Sequence, residues 1–74
     1  MTLASLGARL RRSRETAGFS ATQVAERLGC DVRTLYRWER NEFEPSISML
    51  ARLSALYGVT PTHLVSGDDS GTAA

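Results

Sequence analysis

The punctuation of this chain constrains its fold more than any other feature. Five segments each open on a residue suited to cap a helix N-terminus and close on one that tolerates a left-handed backbone: Thr2 to Gly18, Ser20 to Gly29, Asp31 to Asn41, Ser46 to Gly58, and Thr60 to Gly67. A capping side chain accepts from an early N–H that the helix itself leaves without a partner. In "FSATQV", Ser20 and Gln23 have the spacing of a capping box, and Phe19 can staple onto Val24. In "VTPTHL", Thr60 caps, Pro61 suits the first helical position, and Val59 can staple onto Leu64. Between these marks the apolar residues recur at helical spacing. Leu3, Leu6, Leu10 and Ala17 line the first segment, Val24, Ala25 and Leu28 the second, and Ile47, Leu50, Ala51, Ser54 and Tyr57 the fourth. No segment alternates with the period of a strand. The chain is therefore expected to be all-α, a compact five-helix domain over residues 1–67. The stretch "DDSGTAA", residues 68–74, is small and polar and reads as a flexible tail.

A chain of 74 residues makes one small domain, whose core rarely supplies more than about 3–5 kcal/mol of net stability. A large catalytic cavity would be hard to support. Cys30 is the only cysteine, which excludes an intrachain disulfide and suits a cytoplasmic location. No apolar run has the length of a signal peptide core or a membrane span. The net charge is only +1, but it is unevenly placed. Residues 1–41 hold eight Arg against Glu15, Glu26, Asp31 and Glu39, whereas residues 42–74 hold Arg52 against Glu42, Glu44, Asp68 and Asp69. A basic first half suggests an anionic partner met over a local surface.

The sharpest signal lies in "CDVRTLYRWER", residues 30–40. At 3.6 residues per turn, Val32, Leu35 and Trp38 share one side, while Arg33, Tyr36, Arg37 and Arg40 crowd the other. Three arginines and a tyrosine side by side repel one another unless something negative lies against them. Only "GCD" joins the second and third segments, which forces a sharp helix-turn-helix angle. Ala25 is small enough for close approach there, and Gly29 supplies the positive φ of the turn. The third helix then presents its Arg/Tyr face outward, at a size that fits a DNA major groove.

The stretch "SATQVAERLGCDVRTLYRWERNEFEPSISMLARLSALYGVTPTHL" resembles the Cro and phage-repressor type of helix-turn-helix domain, the XRE family. Ala25, Gly29, Leu35, Trp38, Glu39, Pro45 and the closing "YGVTPTHL" fall at the family's spacing, and the likeness extends over residues 3–67. It implies that Val32, Arg33, Tyr36 and Arg37 reach base edges and that Ser20, Thr22, Arg40 and Asn41 lie near phosphates. Arg33 and Arg37 could each pair with guanine, worth about 1–3 kcal/mol of discrimination. Arg14 and Glu39 match a structural ion pair between the first and third helices. Dimerisation is expected through Met49, Leu53 and Leu56, a second apolar stripe on the fourth helix, with Leu64 and Val65 of the fifth.

The sequence departs from the family at three places. Ala21 replaces a Gln that usually touches phosphate, Asn41 replaces a Gly, and Glu42 and Glu44 stand where a basic residue is common. The change at Asn41 is mild, since Asn tolerates the same conformation, whereas Ala21, Glu42 and Glu44 should weaken the phosphate contact. The functional expectation is a sequence-specific regulator of transcription, a repressor, that binds a palindromic operator in double-stranded DNA as a homodimer. The alternatives are a protein-interaction module, such as the antitoxin of a toxin–antitoxin pair, or a restriction–modification controller protein. A protein antagonist or toxin is therefore a possible further partner, and no membrane is expected. Arg9, Arg11 and Arg12 read as a mostly solvated face, Cys30 as a small apolar filler, and His63 as a surface residue. His63 and Cys30 have no companions at metal-ligand spacing, so neither metal nor cofactor is expected. No nucleophile, base and orienting group share a local arrangement, which argues against an enzyme.

Overall fold

In a computed structural model of the protein, residues 3–66 are described, with side chains from Leu6 onward. The helices are α1 (Leu3–Ala17), α2 (Ala21–Leu28), α3 (Val32–Glu39), α4 (Ile47–Tyr57) and α5 (Pro61–Ser66), with no strand among the described residues. Thr2 and Gly67, the expected first cap and last stop, lie outside the described residues, as does the tail.

The caps explain where the inner helices begin and end. Ser20 Oγ accepts the Gln23 N–H at 3.1 Å, and Gln23 Oε1 accepts the Ser20 N–H at 2.8 Å, which completes the capping box of α2. Asp31 caps α3, Ser46 Oγ accepts the Met49 N–H at 3.1 Å, and Thr60 Oγ1 accepts the His63 N–H at 3.0 Å. At the far ends the chain leaves α2 through Gly29 and α4 through Gly58, both at φ +73°. Asn41 carries φ +63° after α3, the only described residue other than glycine with a positive φ.

Helix α1 runs through the middle of the domain and packs against α3, α4 and α5, while α2 packs on α3 and α4 on α5. Leu10, Val24, Leu35, Leu53 and Leu64 are fully enclosed, and Leu6, Ala21, Leu28, Trp38 and Tyr57 complete the core. Each enclosed aliphatic side chain contributes about 1.5–3 kcal/mol against a chain-entropy cost of similar total size.

Two of these positions correct the sequence reading. Leu53 and Leu64, expected at a dimer surface, have no exposed area. The reason is the path of α5, which lies across α1 and turns Leu64 inward, and the rotation of α4, which buries Leu53 with Ser54 and Tyr57. Conversely Ile47, expected in the core stripe, is 87% exposed at the first position of α4. Ala17 and Ala51 are also exposed. Small residues at helical spacing carry too little apolar area to decide which way a helix turns.

Polar contacts then lock the helices together. Arg14 on α1 meets Glu39 on α3 in a two-pronged pair, Nε to Oε2 at 2.8 Å and Nη2 to Oε1 at 3.2 Å. Its Nη1 also donates to the Phe19 carbonyl at 3.1 Å, so one guanidinium joins α1, α3 and the α1–α2 connection. The hydrogen bond with Glu39 holds the Arg14 pKa above its ordinary value, although burial opposes the charge. Arg9, expected in a solvated face, donates instead to the carbonyls of Leu64 and Val65 at the end of α5. A cation there satisfies carbonyls that the short helix leaves open and complements its dipole.

Candidate functional site

Helix α3 has two unlike sides. Leu35, Trp38 and Glu39 are buried, whereas Arg33, Tyr36, Arg37 and Arg40 are exposed. Val32 is half-buried against the core and stands at the first turn, at the boundary between the two sides. The face thus presents three guanidinium groups and a phenol from the helix that follows the tight turn.

Local contacts hold each arginine differently. Asp31 Oδ1 accepts the Arg33 N–H at 2.8 Å, and Asp31 Oδ2 lies 3.4 Å from Arg33 Nη2. Those two hydrogen bonds, the backbone one first, keep the Asp31 carboxyl below the usual carboxylate range. The Arg37 guanidinium carbon sits 5.6 Å from the centre of the Phe43 ring, a cation–π contact across the α3–α4 connection. Arg40 Nε pairs with Glu42 Oε2 at 2.9 Å. Both partners of that pair are well exposed, so it contributes little to stability but lowers the local positive field.

Among the residues assigned to phosphates, Ser20 and Thr22 are exposed at the start of α2, on the helix that packs on α3. The Ser20 hydroxyl accepts from Gln23 and still has its own proton to donate. Asn41 is engaged elsewhere: its Oδ1 accepts the Gly7 N–H of α1 at 2.9 Å, which ties it to the frame of the domain. Ala21, where the family's Gln usually stands, is 5% exposed and belongs to the core.

Sequence reasoning passed over Phe43 and Gly7. Phe43 is 59% exposed beside Arg37, and only the path of the α3–α4 connection brings the two together. Gly7 could have been noticed, because a glycine inside a helix costs about 1 kcal/mol relative to alanine and asks for a packing reason.

Cys30 lies between the two helices, half-buried against the core, and burial together with Asp31 raises its thiol pKa. That is the behaviour of a packed thiol rather than a reactive one. No group of three metal-ligating side chains occurs among the described residues, and no described helix is long and apolar enough to cross a membrane.

A family model described as a helix-turn-helix domain matches residues 5–65. The HTH-type transcriptional regulator ImmR of Bacillus subtilis is 35% identical over 65 residues, which is 88% of this chain and 51% of that protein. A protein of Pyrococcus furiosus named as an HTH-type transcriptional regulatory protein is 39% identical over 51 residues, 69% of this chain and 16% of its own length. One of Pyrobaculum aerophilum with the same kind of name is 36% identical over 52 residues, 70% of this chain and 21% of its own length. The chain thus spans about half the length of the first of these relatives and less of the other two.

Proposed function

The chain belongs to the helix-turn-helix domain family, and we propose that it is a sequence-specific DNA-binding regulator of transcription whose helix α3 enters the major groove. One observation carries this reading: α3 buries Leu35 and Trp38 while exposing Arg33, Tyr36 and Arg37 along its other side. In the groove, Arg33 and Arg37 donate to guanine O6 and N7, and Val32 and Tyr36 pack on thymine methyl groups. Arg40, Ser20 and Thr22 meet phosphates, and Arg40 exchanges Glu42 for the DNA backbone as it does so. The relatives' names as transcriptional regulators support the same reading.

The domain acts as a homodimer on a near-palindromic operator. Ile47, at 87% exposure, and Val65, at 50%, supply apolar surface for the contact, with the half-buried Met49 and Leu56 behind them. Two recognition helices about 34 Å apart then read half-sites one helical turn from each other. Coupling two half-sites into one binding event compensates for the acidic Glu42 and Glu44 at the edge of the interface. Repression is the outcome, because it needs only occupancy of the site.

Selection of bound sequences from a random DNA library tests this directly. The expected product is a near-palindrome with guanines in each half-site. A pool that remains random after repeated rounds overturns the proposal.

A further inference from the structure

The domain has a second cationic surface, away from α2 and α3. A cleft of about 590 Å³ opens between α1 and the α4–α5 connection, lined by Arg9, Arg12, Ser13 and Thr16 on one side and by Tyr57, Val59, His63 and Ser66 on the other. None of its lining residues is acidic.

Arg12 is the informative member. The other arginines among the described residues each have a partner. Arg11, Arg14, Arg33 and Arg40 face carboxylates. Arg9 and Arg52 donate to carbonyls, and Arg27 and Arg37 lie over aromatic rings. Arg12 has none of these contacts among the described residues, although it stands next to Ser13 and one turn from Arg9 and Thr16 at the cleft. Beside it, Ser13 is only 6% exposed and its hydroxyl makes no hydrogen bond among the described residues. The Ser13 hydroxyl and the exposed Arg12 guanidinium thus stand at one cleft without an acceptor among the described residues, and an oxyanion supplies one to each. The Tyr57 and Val59 side chains add apolar lining for the rest of such a molecule.

We propose that this cleft binds a small organic oxyanion, a carboxylate or phosphate ester with an apolar portion, held by Arg12, Ser13 and Thr16. The site is separate from the DNA-reading face, since no lining residue belongs to α2 or α3. Because it lies against α5, whose end is tied to α1 by Arg9, its ligand would stiffen the junction from which Val65 projects.

The test uses the full chain and two probes, inorganic phosphate and acetate, at ionic strength held constant with sodium chloride. Amide resonances are followed by two-dimensional NMR. The expected result is saturable shifts at Ser13, Thr16 and Ser66 with at least one probe. Saturation by phosphate alone assigns the phosphate class, and saturation by acetate alone the carboxylate class. Arg12→Gln, an exposed substitution whose folding is checked by circular dichroism, should weaken that binding about tenfold, the fold-change expected from losing one charged hydrogen bond. Operator affinity should be unchanged by the same substitution. Linear, unsaturating shifts with both probes, or a fall in operator affinity that parallels the loss at the cleft, would overturn the proposal.

Discussion

Gly7 and Asn41 meet where α1 crosses the end of α3. The Gly7 N–H donates to Asn41 Oδ1 at 2.9 Å, and a Cβ on Gly7 would stand 2.4 Å from the Glu39 carbonyl oxygen and 2.6 Å from Asn41 Oδ1. The first of those atoms is backbone, so the helices must separate to admit a methyl group. Gly7→Ala should therefore destabilise the domain by about 1–3 kcal/mol through overpacking, although alanine is the better helix former by about 1 kcal/mol. Urea unfolding of the two proteins measures the sign. A more stable Gly7→Ala variant would mean that helix propensity outweighs the close approach.

The Arg14–Glu39 pair should be costly to break from one side. Its side chains are 11% and 4% exposed, so removing one partner strands a charge away from water. Glu39→Ala is expected to lose about 3–5 kcal/mol, a large part of what so small a core supplies. Replacing both partners with apolar residues should cost less than the single change, and denaturant melts of the three variants check the order.

Tyr57 carries a hydroxyl that is buried with no hydrogen-bond partner among the described residues. Burial, reinforced by Glu39 and opposed by Arg14, pushes its pKa well above the ordinary phenol value. A lone buried hydroxyl costs about 1–3 kcal/mol, so Tyr57→Phe should be neutral or stabilising. The melting temperature should rise by up to roughly 4–8 °C, the shift that corresponds to about 1 kcal/mol in a domain of this size. A lower melting temperature would mean that the hydroxyl has a partner, such as an ordered water.

Asp31 gives a pH signature. Its folded-state pKa is depressed by the Arg33 backbone N–H and then by the Arg33 side chain. A depressed carboxylate contributes stability that is present above its unfolded pKa, about 3.9, and is lost as pH falls through the lower folded value. Asn keeps the capping geometry but does not titrate. The stability difference between the parent and Asp31→Asn should therefore shrink as pH is lowered from 5 into the acid range below about 3.9. A constant difference across that range would exclude the linkage.

Capping chemistry was the most legible part of this chain, since Ser20 with Gln23, Asp31, Ser46 and Thr60 act within a few residues and depend little on tertiary context. The two sides of α3 were legible too, because Leu35 and Trp38 differ so strongly from Arg33 and Arg37. Helix α4 was not. With Ile47, Met49, Leu50, Leu53, Leu56 and Tyr57 on it, apolar residues surround the axis, and only its contacts with α1 and α5 decide that Leu53 goes in and Ile47 stays out. Arg9 escaped for a related reason: its acceptors on Leu64 and Val65 are more than fifty residues away, and the sequence contains no mark of carbonyls that will need a donor. At the site, the arginine face was readable, but Phe43 under Arg37 and Glu42 against Arg40 depend on how the α3–α4 connection folds back.

Whether α3 reads bases is tested most directly by comparing Arg37→Ala and Arg40→Ala on the selected operator and on a scrambled duplex, across a range of salt. Arg37→Ala should lose about 1–3 kcal/mol on the operator and little on scrambled DNA, relaxing preference at one base pair per half-site. Arg40→Ala should weaken both duplexes alike and reduce the salt slope by about one unit. Equal losses on the two duplexes for Arg37→Ala would contradict base readout by this helix.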